Sequence, residues 1–248
     1  MRPPFALLFG ISLATAALAQ PVAPTDMKLF LLIGQSNMAG RGPIEPVDKV
    51  PHPRVFTLTK ELAWVPAVDP LHFDKPERAG TGLGKTFGMV VAGAEPRAVI
   101  GLIPAAFGGS ALDEWQPGQP HYVNAVARAK EAMKHGKLAG ILWHQGEADS
   151  KPGLAATYAD RFAKFIAQLR ADLGAEDVPV IVGETGRFRP DAAGINAVLA
   201  ALPARVPRCA FVAADGLADQ GDKLHFDSAS FREFGRRYAK AWLEMQKP

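Results

Sequence analysis

The chain has 248 residues, of which 48% are hydrophobic and 21% charged, and its formal net charge at neutral pH is +3. This length can bury a sizeable core in one domain or two, and the scattered basic residues form no stripe that would bind nucleic acid. Cys209 is the single cysteine of the sequence, which excludes an internal disulfide, and its apolar context indicates a small buried hydrophobic residue.

The first 19 residues have the pattern of a secretory signal peptide. Arg2 gives a positive start, an apolar run follows, and Ala17-Leu18-Ala19 is a small-x-small cleavage site. The run is short for a membrane span, although an uncleaved anchor is the alternative. We expect cleavage after Ala19 and export to the periplasm or out of the cell. Residues 20–248 would then form one domain that does not associate with a membrane.

Short apolar runs alternate with helical patterns along the rest of the chain. The predicted strands are Lys28–Ile33, Val55–Leu58, Ala98–Ile103, Gly140–Trp143, Val180–Gly183 and Cys209–Ala213. The predicted helices are Gly84–Ala94, Tyr122–Lys134, Gly153–Leu173, Asp191–Leu202 and Ser228–Met245. Strands that are apolar throughout and separated by helices predict an α/β fold, with a parallel sheet covered on both faces.

Polar clusters follow four of the predicted strands. Ser36 follows the first strand, Gly108-Gly109-Ser110 the third, and residues 144–147 the fourth, while Asp222 and His225 come from the loop after the last strand. In open α/β sheets, active sites form outside the carboxyl ends of the strands. We therefore expect these four segments to meet at one edge of the sheet.

Three of these residues suit nucleophilic catalysis. A serine hydroxyl needs a base to take its proton, and the base needs a third group to orient it. Asp222 and His225 lie within four residues of each other, so the carboxylate can reach Nδ1 of the imidazole and leave Nε2 facing Ser36. The alternative is an aspartate that caps the next helix beside an unrelated surface histidine.

Acyl transfer also needs hydrogen-bond donors for the oxyanion that develops on the substrate. Candidates are the backbone N–H groups of Ser36 and Gly109 and the side-chain amide of Gln145. Glycine allows a close approach of its backbone to a substrate oxygen. A plain turn is the alternative interpretation of Gly108-Gly109.

Four segments, "GQSNMAGRG", "GGSALDEW", "WHQGEAD" and "DKLHFD", resemble a known family in their order and spacing. They are similar to the sialate O-acetylesterase-like and acetylxylan-esterase-like carbohydrate esterases (family 6), within the SGNH, or GDSL-type, hydrolase superfamily. The resemblance runs from Lys28 to about Tyr238. It implies a three-layer α/β/α sandwich with a flavodoxin-like parallel sheet of about five strands. The predicted strand Val55–Leu58 would then be peripheral or a wrong assignment.

The same resemblance implies roles for single residues. Ser36 would be the nucleophile, His225 the general base and acid, and Asp222 its orienting group. The N–H groups of Ser36 and Gly109 and the Gln145 side chain would form the oxyanion hole. The implied substrate is an acetylated carbohydrate, of xylan or sialic acid type, and no cofactor is implied.

Other residues near these motifs have two interpretations each. Glu147 could orient His144 or His225 or act as an alternative triad acid, but a structural acceptor that holds the backbone near Ser36 and Asn37 is favoured. His144 is expected to be buried and hydrogen-bonded. Metal binding by a cluster of acidic and histidine residues is not expected, because no pattern typical of metal ligands is present.

The loops after the strands are expected to bind the substrate. Trp64 and Trp115 could stack on a sugar ring, while Arg41, Asp113 and Glu114 could bond its hydroxyls. Equally, each tryptophan could close the core at the base of a loop.

Two other functions share this scaffold. One is a glycan-binding protein with little catalytic activity, and the other is a GDSL-type lipase or thioesterase that acts on longer acyl chains. The sequence carries no signal of oligomeric state.

Overall fold

The computed structural model describes residues 24–247. The predicted signal peptide lies outside the described residues. None of the helices in the described range is both long and apolar enough to cross a membrane.

Seven strands form one sheet in the order β3-β2-β4-β1-β5-β6-β7. They are β1 (Met27–Gly34), β2 (Val55–Leu58), β3 (Trp64–Pro66), β4 (Ile100–Pro104), β5 (Gly136–His144), β6 (Val180–Gly183) and β7 (Cys209–Val212). Neighbouring strands are parallel except β2 and β3. The parallel α/β prediction is therefore confirmed, and β1 is the central strand.

The expected number of about five strands is wrong. The predicted strand Val55–Leu58 is real, because β2 pairs with β4 over Val55–Thr57 and extends the parallel sheet. Beyond it, β3 adds an antiparallel edge strand of three residues. Such a short segment shows no periodicity, and its proline is tolerated because an edge strand does not need every N–H for pairing.

Within residues 24–247, six α-helices flank this sheet. They are α1 (Ser36–Ala39), α2 (Leu83–Ala94), α3 (Pro120–Ala132), α4 (Pro152–Asp172), α5 (Ala192–Ala201) and α6 (Ser228–Glu244). The five predicted helices are all present with small shifts at their ends. Helices α3 and α4 begin with Pro120 and Pro152, because proline fits the first turn, where no intrahelical N–H bond is lost.

Two hydrophobic cores lie on opposite faces of the sheet. Along β1, Leu29 and Leu31 face the core built with α3, α4 and α5, whereas Phe30 and Leu32 face the core built with α2 and α6. Alternate residues of a strand point to opposite faces, so a strand buried on both sides is apolar throughout. The result is the three-layer sandwich that the family resemblance implies.

Candidate active site

Strand β1 ends in a turn that presents Ser36. Gly34 has φ +130°, a conformation that favours glycine, and a Cβ there would lie 2.1 Å from the carbonyl oxygen of His144. The N–H of Gln35 donates to that same carbonyl at 2.9 Å, and α1 begins at the next residue. The close contact between β1 and β5 therefore fixes where the serine emerges.

Ser36, His225 and Asp222 form a connected chain of hydrogen bonds. His225 Nε2 lies 3.0 Å from Ser36 Oγ, and His225 Nδ1 lies 2.6 Å from Asp222 Oδ2. The other carboxylate oxygen, Oδ1, accepts the backbone N–H groups of Leu224 and His225 at 2.9 and 2.8 Å. Partial burial raises the pKa of Asp222, but the hydrogen bonds from His225 outweigh it and hold the pKa well below its usual range. An ionised Asp222 keeps the proton on Nδ1 and leaves Nε2 free to accept one from the serine.

Helix α6 fixes the position of this histidine loop. Asp227 caps the helix by accepting the N–H of Ser230 at 2.7 Å, two residues after His225. Such a cap contributes about 1 kcal/mol to stability. His225 therefore precedes a helix whose start is anchored.

Two candidate oxyanion donors are not engaged elsewhere in the described part of the protein. Within residues 24–247, neither the Ser36 N–H nor the Gly109 N–H donates a hydrogen bond. Gly109 has φ +87° and is exposed, with no heavy atom within 4 Å of a Cβ built on it. The backbone conformation, and not crowding, is what favours glycine here. Both groups are free to donate to a substrate oxygen.

The Gln145 side chain is already engaged. Its amide nitrogen donates to Asp149 Oδ2 at 2.7 Å and to the carbonyl of Ser110 at 3.2 Å, and its oxygen accepts from the Tyr158 hydroxyl at 2.8 Å. Because an amide nitrogen has two hydrogens, an oxyanion could be bound only if the longer bond, to Ser110, is released.

Asp149 organises this part of the site, although no sequence motif singles it out. It is fully buried, and it accepts from Gln145, from the Leu112 N–H at 2.9 Å and from Arg161 at 3.0 Å. Through these bonds it joins the segment after β5 to the segment after β4.

Asn37 joins the serine turn to the histidine loop. Its side-chain nitrogen donates to Glu147 Oε1 at 2.5 Å and to the Leu224 carbonyl at 3.1 Å, and its oxygen accepts the Phe226 N–H at 3.3 Å. Glu147 Oε1 also lies 3.7 Å from His144 Nε2. Burial raises the pKa of Glu147, but His144 and Asn37 outweigh it, so the net pKa is below its usual range. The contacts of Glu147 match the structural interpretation.

His144 is completely buried behind this cluster. Its Nδ1 lies 3.1 Å from the Tyr238 hydroxyl, and its ring meets Phe226 and Phe234 edge to face. Among the described residues, no group of three or more histidine, cysteine, aspartate and glutamate side chains is arranged to hold a metal ion.

The residues suggested for sugar binding lie elsewhere than expected. Trp64 is 7% exposed and packs over Gly101, and Trp115 is fully buried with its indole N–H on Ser110 Oγ at 2.8 Å. Neither ring is available to stack on a sugar, so that interpretation is wrong and both tryptophans are core residues.

The charged candidates are paired within the protein. Arg41 is buried and donates to Asp74 at 2.6 Å and to the carbonyl of Gly40 at 2.8 Å, so it does not present its guanidinium to a ligand. Asp113 is exposed and accepts from Arg161 at 2.7 Å, and Glu114 is exposed and accepts from the N–H of Ala111 at 2.8 Å.

The sequence of this chain is similar to those of known carbohydrate esterases. The profile of the family described as "SASA: Carbohydrate esterase, sialic acid-specific acetylesterase" matches residues 26–244. A probable carbohydrate esterase of Arabidopsis thaliana is 32% identical over 247 residues, which cover 90% of this chain and 92% of the relative.

Solved structures show the same fold. The X-ray structure of the Arabidopsis thaliana protein has a TM-score of 0.82 at 30% identity and covers 88% of this chain and 98% of that one. NanS has a TM-score of 0.76 at 19% identity, covering 90% and 98% of the two chains. A carbohydrate acetylesterase from Xanthomonas citri has a TM-score of 0.66 at 18% identity, covering 86% of this chain and 55% of that one. The family predicted from four short segments is thereby confirmed: the chain belongs to the sialic acid-specific acetylesterase family of carbohydrate esterases and is a carboxylic ester hydrolase with an SGNH-like fold.

Proposed function

We propose that this protein is an exported serine esterase that removes O-acetyl groups from a carbohydrate through an acyl-enzyme. The observation that carries the proposal is the hydrogen-bonded chain from Ser36 Oγ to His225 at 3.0 Å and on to Asp222 at 2.6 Å. Membership of a carbohydrate acetylesterase family supports acetyl as the acyl group and a carbohydrate as the substrate class. Export rests on the signal-peptide pattern of the first 19 residues.

Acylation begins when Ser36 Oγ attacks the acetyl carbonyl carbon and His225 Nε2 accepts the hydroxyl proton. The negative charge then moves to the carbonyl oxygen, which the N–H groups of Ser36 and Gly109 stabilise by hydrogen bonds. Asp222 stabilises the imidazolium without taking its proton. As the tetrahedral intermediate collapses, His225 gives the proton to the departing sugar oxygen, and acetyl remains on Ser36.

Deacylation repeats these steps with water as the nucleophile. A water molecule attacks the acetyl-enzyme while His225 takes a proton from that water. The oxyanion of the resulting tetrahedral intermediate again accepts hydrogen bonds from the two backbone N–H groups. Collapse returns the proton to Ser36 Oγ and releases acetate. Gln145 would act as a third donor in both steps if its amide exchanges the carbonyl of Ser110 for the oxyanion.

The test compares wild type with Ser36→Ala. Acetate release is measured from acetylated xylan, an O-acetylated sialic acid and p-nitrophenyl acetate, with the urea unfolding midpoint of each protein as the fold control. We expect turnover to vanish in the variant while the midpoint is retained, and a serine-directed phosphonate to label only the wild type. Unchanged turnover in Ser36→Ala would refute the serine mechanism. Faster hydrolysis of p-nitrophenyl octanoate than of p-nitrophenyl acetate would show that the enzyme prefers a longer acyl chain, and it would refute the acetyl part of the proposal.

A further inference from the structure

The N–H of Gly109 belongs to the peptide group that joins Gly108 to Gly109, and the carbonyl of that same group has a charged partner. Lys75 Nζ donates to the Gly108 carbonyl oxygen at 3.0 Å. The peptide bond is trans, so its C=O and its N–H point in opposite directions. The ammonium therefore holds one side of the peptide group. The other side presents an N–H that has no acceptor among the described residues.

The backbone around Gly108 is fixed by further hydrogen bonds. The Phe107 N–H donates to the carbonyl of Gly34 at 2.9 Å, which ties the turn to the end of β1. The Gly108 N–H donates to Asp74 Oδ2 at 2.8 Å. Asp74 and Lys75 are consecutive in the chain, so one short segment holds Gly108 at both its N–H and its carbonyl.

Lys75 brings a positive charge that is not paired with a carboxylate among the described residues. The neighbouring Asp74 is paired with Arg41 at 2.6 Å instead. Lys75 Nζ also lies 5.8 Å from the centroid of the Phe107 ring, a distance at which an aromatic face attracts a cation. The lysine is half-buried, so water and salt screen its charge less than that of a fully exposed side chain.

We propose that Lys75 is a positioning residue of the oxyanion hole, which holds and polarises the peptide group whose N–H is the Gly109 donor. A cation bound to an amide carbonyl draws electron density from the amide and makes its N–H a stronger donor. This helps the transition state most, because the negative charge on the substrate oxygen develops there. The inference rests on the proposed function, since it concerns the oxyanion hole of that same reaction.

Three substitutions at position 75 separate the charge from the shape of the side chain. Lys75→Met keeps an unbranched chain but removes the ammonium and its hydrogen bond, Lys75→Gln keeps a neutral amide donor, and Lys75→Arg keeps a cation with several donors. Lys49→Met is the matched control. Lys49 Nζ also donates to a backbone carbonyl, that of Asp69 at 2.8 Å, and that carbonyl is not part of the oxyanion hole.

Two properties are measured for each protein: kcat and KM for p-nitrophenyl acetate, and the inhibition constant Ki of a trifluoromethyl ketone. Ser36 Oγ adds to the carbonyl carbon of the ketone while His225 Nε2 takes the hydroxyl proton. The hemiketal then carries an oxyanion like that of the tetrahedral intermediate, with no leaving group. A smaller fraction of folded protein lowers kcat but leaves Ki unchanged, so Ki reports the oxyanion hole itself. The urea unfolding midpoint of each variant is the fold control.

We expect Lys75→Met to lower kcat about tenfold with KM little changed, a smaller loss than the roughly 10²–10³-fold effect of removing an oxyanion donor outright. Ki of the ketone should rise by about the same factor. Lys75→Arg should stay within about threefold of wild type, Lys75→Gln should lie between Lys75→Arg and Lys75→Met, and Lys49→Met should match wild type. Should the urea midpoint of Lys75→Met fall, the comparison of Lys75→Gln with Lys75→Arg decides the question.

A fall in kcat without a rise in Ki would show that Lys75 is merely structural, and it would overturn the inference. Wild-type values of both quantities in Lys75→Met, or equal changes in Lys49→Met, would also overturn it. In each of these cases the esterase proposal stands, because Ser36→Ala tests it separately. A wild-type protein that neither hydrolyses p-nitrophenyl acetate nor binds the ketone would refute both.

Discussion

Replacing Asn37 by aspartate tests the contact that joins the turn of Ser36 to the histidine loop. The side chain keeps its size, but the nitrogen that donates to Glu147 at 2.5 Å and to the Leu224 carbonyl at 3.1 Å becomes an acceptor. Two carboxylates would then face each other in a buried site, and the Leu224 carbonyl would lose its donor. The Phe226 N–H would keep an acceptor.

The expected loss of folding stability in Asn37→Asp has two parts. A hydrogen bond to a charged group contributes about 1.5–3 kcal/mol. The new carboxyl would have its folded-state pKa raised by Glu147, and a raise of about two units costs about 2.7 kcal/mol where both groups must ionise. Asn37→Asp should therefore be destabilised by about 4–6 kcal/mol at pH 8.

The pH dependence has a definite sign. A group whose folded pKa is raised above its unfolded value contributes stability that is present at low pH and lost as pH rises through the folded pKa. The deficit of Asn37→Asp relative to wild type should thus be smaller at pH 5 than at pH 8. Asn37→Ala, which adds no charge, should show a deficit that changes little between these two pH values.

Urea unfolding of the three proteins at both pH values measures these differences, and ester turnover reports the consequence for the site. We expect kcat of Asn37→Asp to fall because the loop that carries His225 loses its tether. An Asn37→Asp deficit that is equal at pH 5 and pH 8, or below about 1 kcal/mol like an ordinary surface change, would refute this reasoning.

Three further predictions concern other groups. Asp222→Asn should lower kcat by about 10⁴-fold with KM little changed, because the amide no longer fixes the His225 tautomer. Steady-state kinetics measures kcat and KM, and a loss of kcat below about tenfold would contradict the role of Asp222. Burial and then Asp48 raise the pKa of Asp69 to about 7. A raised pKa contributes stability that is lost as pH rises. The unfolding free energy of wild type minus that of Asp69→Asn should therefore fall by about 4 kcal/mol between about pH 4 and pH 8. Urea titrations measure this difference, and a difference that does not change with pH would contradict the raised pKa of Asp69. Partial burial raises the pKa of the Cys209 thiol to about 12, so a thiol reagent at pH 8 should label the native protein far more slowly than the urea-unfolded protein, and equal labelling rates would contradict this.

The sequence predicts the sheet well because buried parallel strands and amphipathic helices carry strong local patterns. Strand β3 and helix α1 were not predicted, since a segment of three or four residues is too short to show a period. The apolar residues of strand β2 predict a strand. Only the sheet of about five strands that the family resemblance implies argues against it.

The candidate site was predictable where residues typical of nucleophilic catalysis follow predicted strands. Ser36, Asp222 and His225 follow strand ends, and the structure brings them within hydrogen-bond distance of one another. By contrast, a tryptophan gives no sign in the sequence of whether it faces a cleft or a core, and Trp115 turned out to be fully buried. Asp74 also had no signal of its own, because its contacts with Arg41 and Gly108 exist only once distant loops meet.

The hydrogen bond between Ser36 and His225 joins residues 189 positions apart in the chain. A ribosome makes Ser36 together with strand β1, and it makes His225 only just before helix α6. A chain stopped just short of that loop would hold Ser36, Gly109 and all seven strands of the sheet, yet it would lack His225. On the proposed mechanism, ester hydrolysis would report that synthesis has passed His225 and that helix α6 has docked, so activity could serve as a readout of folding.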